Sequence, residues 1–191
     1  MAKSFGAAMD VPTVGTKMAR LIGLIDLGHQ PGFKYKGDDV KSAYKITFTY
    51  ELTGSLMADG RPHHVSEDVN VSDYRGDGIT SKMMKRVDAL DPTGNISNDG
   101  KSLTALIGLP CMVEIKHNEK GYPKVSNVAG APEGIPVPEL QNDPKIFNFD
   151  EPDMDLYNKL PEFVQGKIKA ALDFPGSEVE KALFLENDVD F

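Results

Sequence analysis

Phe33-Lys34-Tyr35-Lys36 alternates two aromatic rings with two ammonium groups between Gly32 and Gly37. Rings on a glycine-bounded loop have little core to fill. Their faces can stack on nucleobases while the ammonium groups neutralise phosphates. A solvated hairpin tip is the plainer reading of the same four residues. Matching chemistry stands at other strand ends and loops: Lys45, beside Thr47 and Thr49, then Arg61, Tyr74, Arg75, Lys116, Tyr122 and Lys124. Tyr50 is a further candidate, although the face it shares with Tyr44 and Phe48 reads first as core. Lys82, Lys85 and Arg86 also cluster, and a solvated helix face accounts for them.

Other chemistries find little material. The chain has no GxxxxGK[ST] phosphate loop, no HExxH and no GxSxG, so no enzyme activity is expected. His63 and His64 are adjacent, and on a strand their rings point to opposite faces, which disfavours a shared metal ion. Cys111 is the one cysteine, set in an apolar run, and reads as a buried, inert thiol. No metal and no cofactor is expected. No apolar run approaches the roughly 18 residues of a membrane span, and the first residues lack a signal-peptide core, so a cytosolic protein is expected.

The elements that must position these residues are mainly strands. MARLIGLIDLG (18–28) is a strand-length apolar run with Gly23 as a candidate bulge. In AYKITFTYELTG (43–54), Tyr44, Ile46, Phe48, Tyr50 and Leu52 point one way while Lys45, Thr47, Thr49 and Glu51 point the other. Asp59-Gly60 turns the chain into a third strand over 63–72. A short helix follows over 79–91. Strands over 110–118 and 122–130 form a last hairpin, with Pro123 favouring an edge. Five strands with a helix between the third and fourth predict a mainly β fold, a five-stranded OB-fold barrel. Around it lie a flexible arm (1–17), a Pro-rich linker (132–159), a C-terminal helix (160–176) and an acidic tail (177–191) ending in Phe. The barrel domain is placed at 18–131. The C-terminal helix carries Phe163, Val164, Ile168, Ala171 and Leu172 on one apolar stripe, which either packs on the barrel or pairs with a second copy.

Charge is divided unevenly. Residues 1–142 hold 16 Lys and Arg against 17 Asp and Glu, whereas residues 143–191 hold 5 against 12. The net charge of −8 therefore belongs almost wholly to the last quarter of the chain. The end, FLENDVDF, places Glu186, Asp188 and Asp190 ahead of Phe191, whose ring and terminal carboxylate could engage a partner's pocket and basic clamp.

Two stretches, LIGLPCMVEIKHNEKGYPKVSNVAG and LPEFVQGKIKAALDFPGS, together with the acidic end in Phe, resemble the single-stranded DNA-binding proteins of tailed bacteriophages. The tail departs from that family, being more dilute in acid than its usual dense runs. The resemblance implies an OB-fold that coats single-stranded DNA during phage replication and recombination in the host cytoplasm. It also implies that Phe191 and its acidic neighbours contact replication proteins such as a polymerase or a helicase/primase. The alternative is a structural or assembly module of a virus particle, using the C-terminal helix and tail as its surface. A saccharide-binding barrel is a third reading, against which the absence of Trp counts.

Overall fold

The computed structural model describes residues 10–76, 78–96 and 102–188, apart from the side chains of 186–188. Its spine is β1 (Gly15–Gln30), sixteen residues long and apolar on both faces. A strand buried on both sides reads as a continuous apolar run rather than an alternating one. From Arg20 to Gln30, β1 pairs antiparallel with β4 (Ala43–Leu56). The register shifts between Leu21 and Gly23, so the bulge falls beside Gly23 as expected, and again between Asp26 and His29.

β4 turns at Met57–Gly60 into β5 (Pro62–Asn70). The other edge of β1 is shared: Gly15–Arg20 pairs with β8 (Pro110–His117), and Gly23–Ile25 pairs in parallel with β10 (Lys145–Phe147). β9 (Pro123–Gly130) completes the sheet as an edge strand, as Pro123 requires. The path is β5-β4-β1-β8-β9, six strands with β10. β5 and β9 curl toward one another with α1 (Lys82–Leu90) against both, but no ladder joins them among the described residues. The fold is mainly β, and the sheet is not a closed barrel.

Inside the curl lies the first core, where the alternation of β4 holds: Phe48, Tyr50 and Leu52 meet Leu21, Val65, Val113 and Ile115. α1 is capped by Ser81, whose hydroxyl accepts from the Met84 N–H, and it contributes Val87 and Leu90. A short 3-10 turn, Leu103–Leu106, precedes β8.

The C-terminal third corrects the sequence reading most. Residues 132–159 are not an extended linker. They strap across the outer face of the sheet, continue into β10 and end in α2 (Met154–Lys159). Arg20 anchors the strap, donating to the carbonyls of Val137 and Pro138 at 2.8 Å each and to the Glu139 carboxylate at 2.8 Å. Glu51, fully buried, accepts from the Gln141 N–H and the Asn142 side chain, both at 2.7 Å. These partners satisfy an extended backbone that has little ladder of its own, which a reading of proline content cannot foresee.

α3 (Glu162–Lys169) and α4 (Glu178–Asp188) follow. With β10 and α2 they pack a second core onto the outer face of β1: Ile25, Leu27, Phe147, Phe149, Tyr157, Ile168 and Val179. The predicted helix is thus shorter than 160–176, and the segment read as an acidic tail is helical from 178 to 188. Of the predicted N-terminal arm, residues 10–17 are tied to the sheet, with β1 already begun at Gly15. Asp10 accepts from the Ala58 N–H at 2.6 Å, and the Pro12 carbonyl lies 2.8 Å from His117 Nε2.

Gly28 sets how closely the two layers meet. Its φ is +68°, and an added Cβ would stand 2.5 Å from Asp173 and 2.9 Å from Phe149. Gly28→Ala should cost about 2–4 kcal/mol from left-handed strain plus overpacking, read as a lowered urea midpoint. Glu51 offers a second test. Burial pushes its carboxyl up, but the Asn142, Gln141 and His64 hydrogen bonds together hold it below the usual carboxylate range. A lowered folded-state pKa contributes stability that is present above the unfolded value and lost as pH falls through the folded one. The wild-type urea midpoint should therefore fall between about pH 5 and pH 3 by more than that of Glu51→Gln.

Candidate nucleic-acid interface

Phe33-Lys34-Tyr35-Lys36 forms a small hairpin, β2 (Phe33–Tyr35) against β3 (Asp38–Val40). Lys36 and Gly37 both take positive φ, 51° and 93°, as the tightest twist-matched hairpin turn demands. It stands beyond the end of β1 where Gln30 pairs with Ala43. Phe33 is 53% exposed and Tyr35 57%, so neither ring fills a core. Lys36 Nζ sits 5.5 Å from the Tyr35 centroid, and Lys34 is 4.0 Å from Asp39.

Lys45 lies at the same end, opposite Asn70 on β5. Tyr74 and Arg75 follow that end of β5; β6 (Arg75–Gly76) and β7 (Ile79–Thr80) pair there. Tyr74 is exposed, while Arg75 donates from its two terminal guanidinium nitrogens to Asp88 at 2.7 and 2.5 Å.

The remaining candidates do not join this group. Arg61 sits in the β4–β5 turn and is held by Asp59 at 2.6 Å. Lys116, Tyr122 and Lys124 flank the β8–β9 turn, with Lys116 3.6 Å from Glu114. Both turns lie at the Gly15 end of β1, separated from the hairpin by the length of that strand, about 50 Å before curvature. One channel through all the named cations is therefore not formed. Tyr50 is fully buried and donates to Glu67 at 3.2 Å, so it belongs to the core. Arg86 is buried as well, its fork on the same Glu67 at 2.7 and 3.1 Å. Burial pushes the Glu67 carboxyl up, yet Arg86 and Lys82 together hold it below the ordinary range. Cys111 is buried, which pushes its thiol up to about 12, consistent with an inert sulfur.

From the hairpin end, a groove of about 440 Å³ runs along the outer face of β4 and β5. Thr47 and Thr49 from β4 and His64, Ser66 and Asp68 from β5 bring polar groups to it, beside the apolar Ile22 and Ile25 of β1. α2 and α3 form the opposite wall, and Lys145, Lys159 and Lys167 stand around it. Lys167 bridges to Asp68 at 2.5 Å, and the Thr47 hydroxyl donates to the same carboxylate at 2.8 Å. The Lys167 carbonyl accepts from the Gln30 side chain at 2.9 Å, which ties this end of the groove to the root of the hairpin. Phe163 lines the groove while 67% exposed, its ring centroid 5.6 Å from Lys167 Nζ.

The sequence reading missed this wall because it placed Phe163 on the buried stripe. Val164, Ile168 and Ala171 are buried, a spacing of four and three that leaves residue 163 to one side. His63 and His64 do face opposite ways, the first toward Asp10 at 3.1 Å and the second toward Glu51 at 3.3 Å.

At the C-terminus, the side chains of Glu186 and Asp188, and all of Asp190 and Phe191, lie outside the described residues. The acidic segment before them is partly built in, since Val179 is buried in the second core.

These placements separate binding from folding. Tyr50→Phe should lower stability by about 1 kcal/mol, read by urea titration, and leave oligonucleotide affinity unchanged. No family model, curated protein or solved structure matches this chain.

Proposed function

We propose that the protein binds single-stranded DNA without strong sequence preference, through the Phe33–Lys36 hairpin and the adjoining outer face of β4. The observation that carries this reading is the pair of half-exposed rings flanked by ammonium groups, on a hairpin that joins the end of β1 to the start of β4, where Lys45 lies. Stacking tolerates any base because every base has a π-face, and cations along the path neutralise phosphates. The order of the elements supports an OB-type reading. Three antiparallel strands, a helix and a further hairpin come in that order, with the ligand expected on the outer face of the second and third strands and on the loop joining the first two.

The resemblance to phage single-strand binders supplies the setting: DNA replication and recombination in the host cytoplasm, with Glu186, Asp188, Asp190 and Phe191 engaging replication proteins. A second reading, an assembly module of a virus particle, draws on Phe184 and Leu185 of α4, both largely exposed. A gel shift with single-stranded against duplex DNA separates the two.

For the binding reading, Phe33→Ala and Tyr35→Ala should each weaken oligonucleotide binding by about 1–3 kcal/mol in fluorescence anisotropy. Affinity should also fall steeply between low and physiological salt. An absent single-strand shift, or an affinity indifferent to salt, would remove the proposal.

A further inference from the structure

The groove beside the hairpin holds features that sheet geometry alone does not require. Phe163 exposes two-thirds of its surface yet lines a concave site, the reverse of a ring recruited for packing. The floor beneath it offers hydroxyls from Thr49 and Ser66, which are within 2.9 Å of one another. Lys145 and Lys159 are exposed at the rim. The third cation, Lys167, is engaged by Asp68, whose carboxylate also takes the Thr47 hydroxyl. A carboxylate on a lysine resembles a phosphate oxygen in charge and hydrogen bonding. The volume, about 440 Å³, lies within the roughly 300–1,000 Å³ of sites that take small organic ligands.

We propose that this groove takes one nucleotide of the bound strand, its base against the Phe163 ring and its phosphates on Lys159, Lys145 and Lys167. Asp68 occupies the phosphate position on Lys167 in the free protein and is displaced when the strand enters. The C-terminal layer is then the second jaw of the binding site, and Asp68 sets the affinity of that jaw. This rests on the single-strand reading above.

The placement explains why a groove exists here at all. The strap over 137–142 covers the Glu51 end of the β4 outer face, and α3 stands off the Thr47–Thr49 stretch instead of closing on it. A helix that only sealed the second core would bring an apolar residue, not Lys167, against the sheet at Asp68. Gln30, at the root of the hairpin, donates to the carbonyl of Lys167 on the groove wall, so the two candidate surfaces are linked through one side chain.

The test uses the full chain and a labelled oligothymidylate in fluorescence anisotropy, with urea midpoints to show that each variant is folded. Phe163→Ala should weaken binding by roughly 5- to 150-fold, the range of a lost base stack. Lys159→Ala should reduce the slope of log affinity against log salt by about one, the signature of a lost phosphate contact. Asp68→Asn should tighten binding severalfold, because the competing carboxylate is gone while the hydrogen-bonding shape remains. If the wild type binds with steep salt dependence but Phe163→Ala and Lys159→Ala bind like it, the groove is no part of the site and this inference fails alone. If Asp68→Asn weakens binding, the displaced-carboxylate role is wrong. If the wild type itself does not bind, the underlying function fails instead.

Discussion

A single strand that buries both of its faces holds this molecule together. β1 sends Leu21 and Leu24 inward to the core of the curled sheet and Ile25 and Leu27 outward to the C-terminal layer. Neither apolar body can be removed without exposing the other's floor, so the two layers should act as one cooperative unit. The bulges near Gly23 and His29 make the double role possible, bending the strand so that its first half meets β8 and its second half meets β10. Gly28 removes the side chain that would otherwise hold the layers apart.

Ion pairing then decides which charges remain for a ligand. Arg20, Arg61, Arg75 and Arg86 are each committed to carbonyls or carboxylates within the fold. Arginine suits such work because its planar fork satisfies two acceptors at once. The cations lining the hairpin and the groove are lysines, flexible point charges that can follow a mobile phosphate backbone. The buried Glu51 and Glu67 carry opposite duties on the two faces of the sheet, one fastening the strap and the other anchoring α1 through Arg86. Removing one partner from such a pair leaves an uncompensated buried charge, which is why these sites should be intolerant of change.

The C-terminal quarter is where composition misleads. Its prolines and acids describe a tether and a tail, yet Phe147, Phe149, Tyr157 and Val179 are core residues. The helical acids of α4 sit on an element seated by Val179 and packed by Leu183, not on a detachable end. A charge imbalance between halves of a chain therefore says little about whether the acidic half is mobile.

What the residues alone determined were the local matters: the five longer strands, the inward set Phe48, Tyr50 and Leu52, the opposed rings of His63 and His64, the turn at Asp59-Gly60, and the exposure of the aromatic–basic segment, though it read as a loop and is a hairpin. Each follows from period-two geometry or from the backbone freedom of one or two positions, which neighbours in sequence fully specify. Only the tertiary structure decided that Arg61, Lys116, Tyr122 and Lys124 lie a strand's length from Phe33, that Tyr50 belongs to the core, and that Phe163 and Lys167 face Thr47 and Asp68. Those facts depend on register, on the curl of the sheet and on partners some hundred residues distant along the chain. No local pattern encodes a contact whose two halves are folded together only by everything between them.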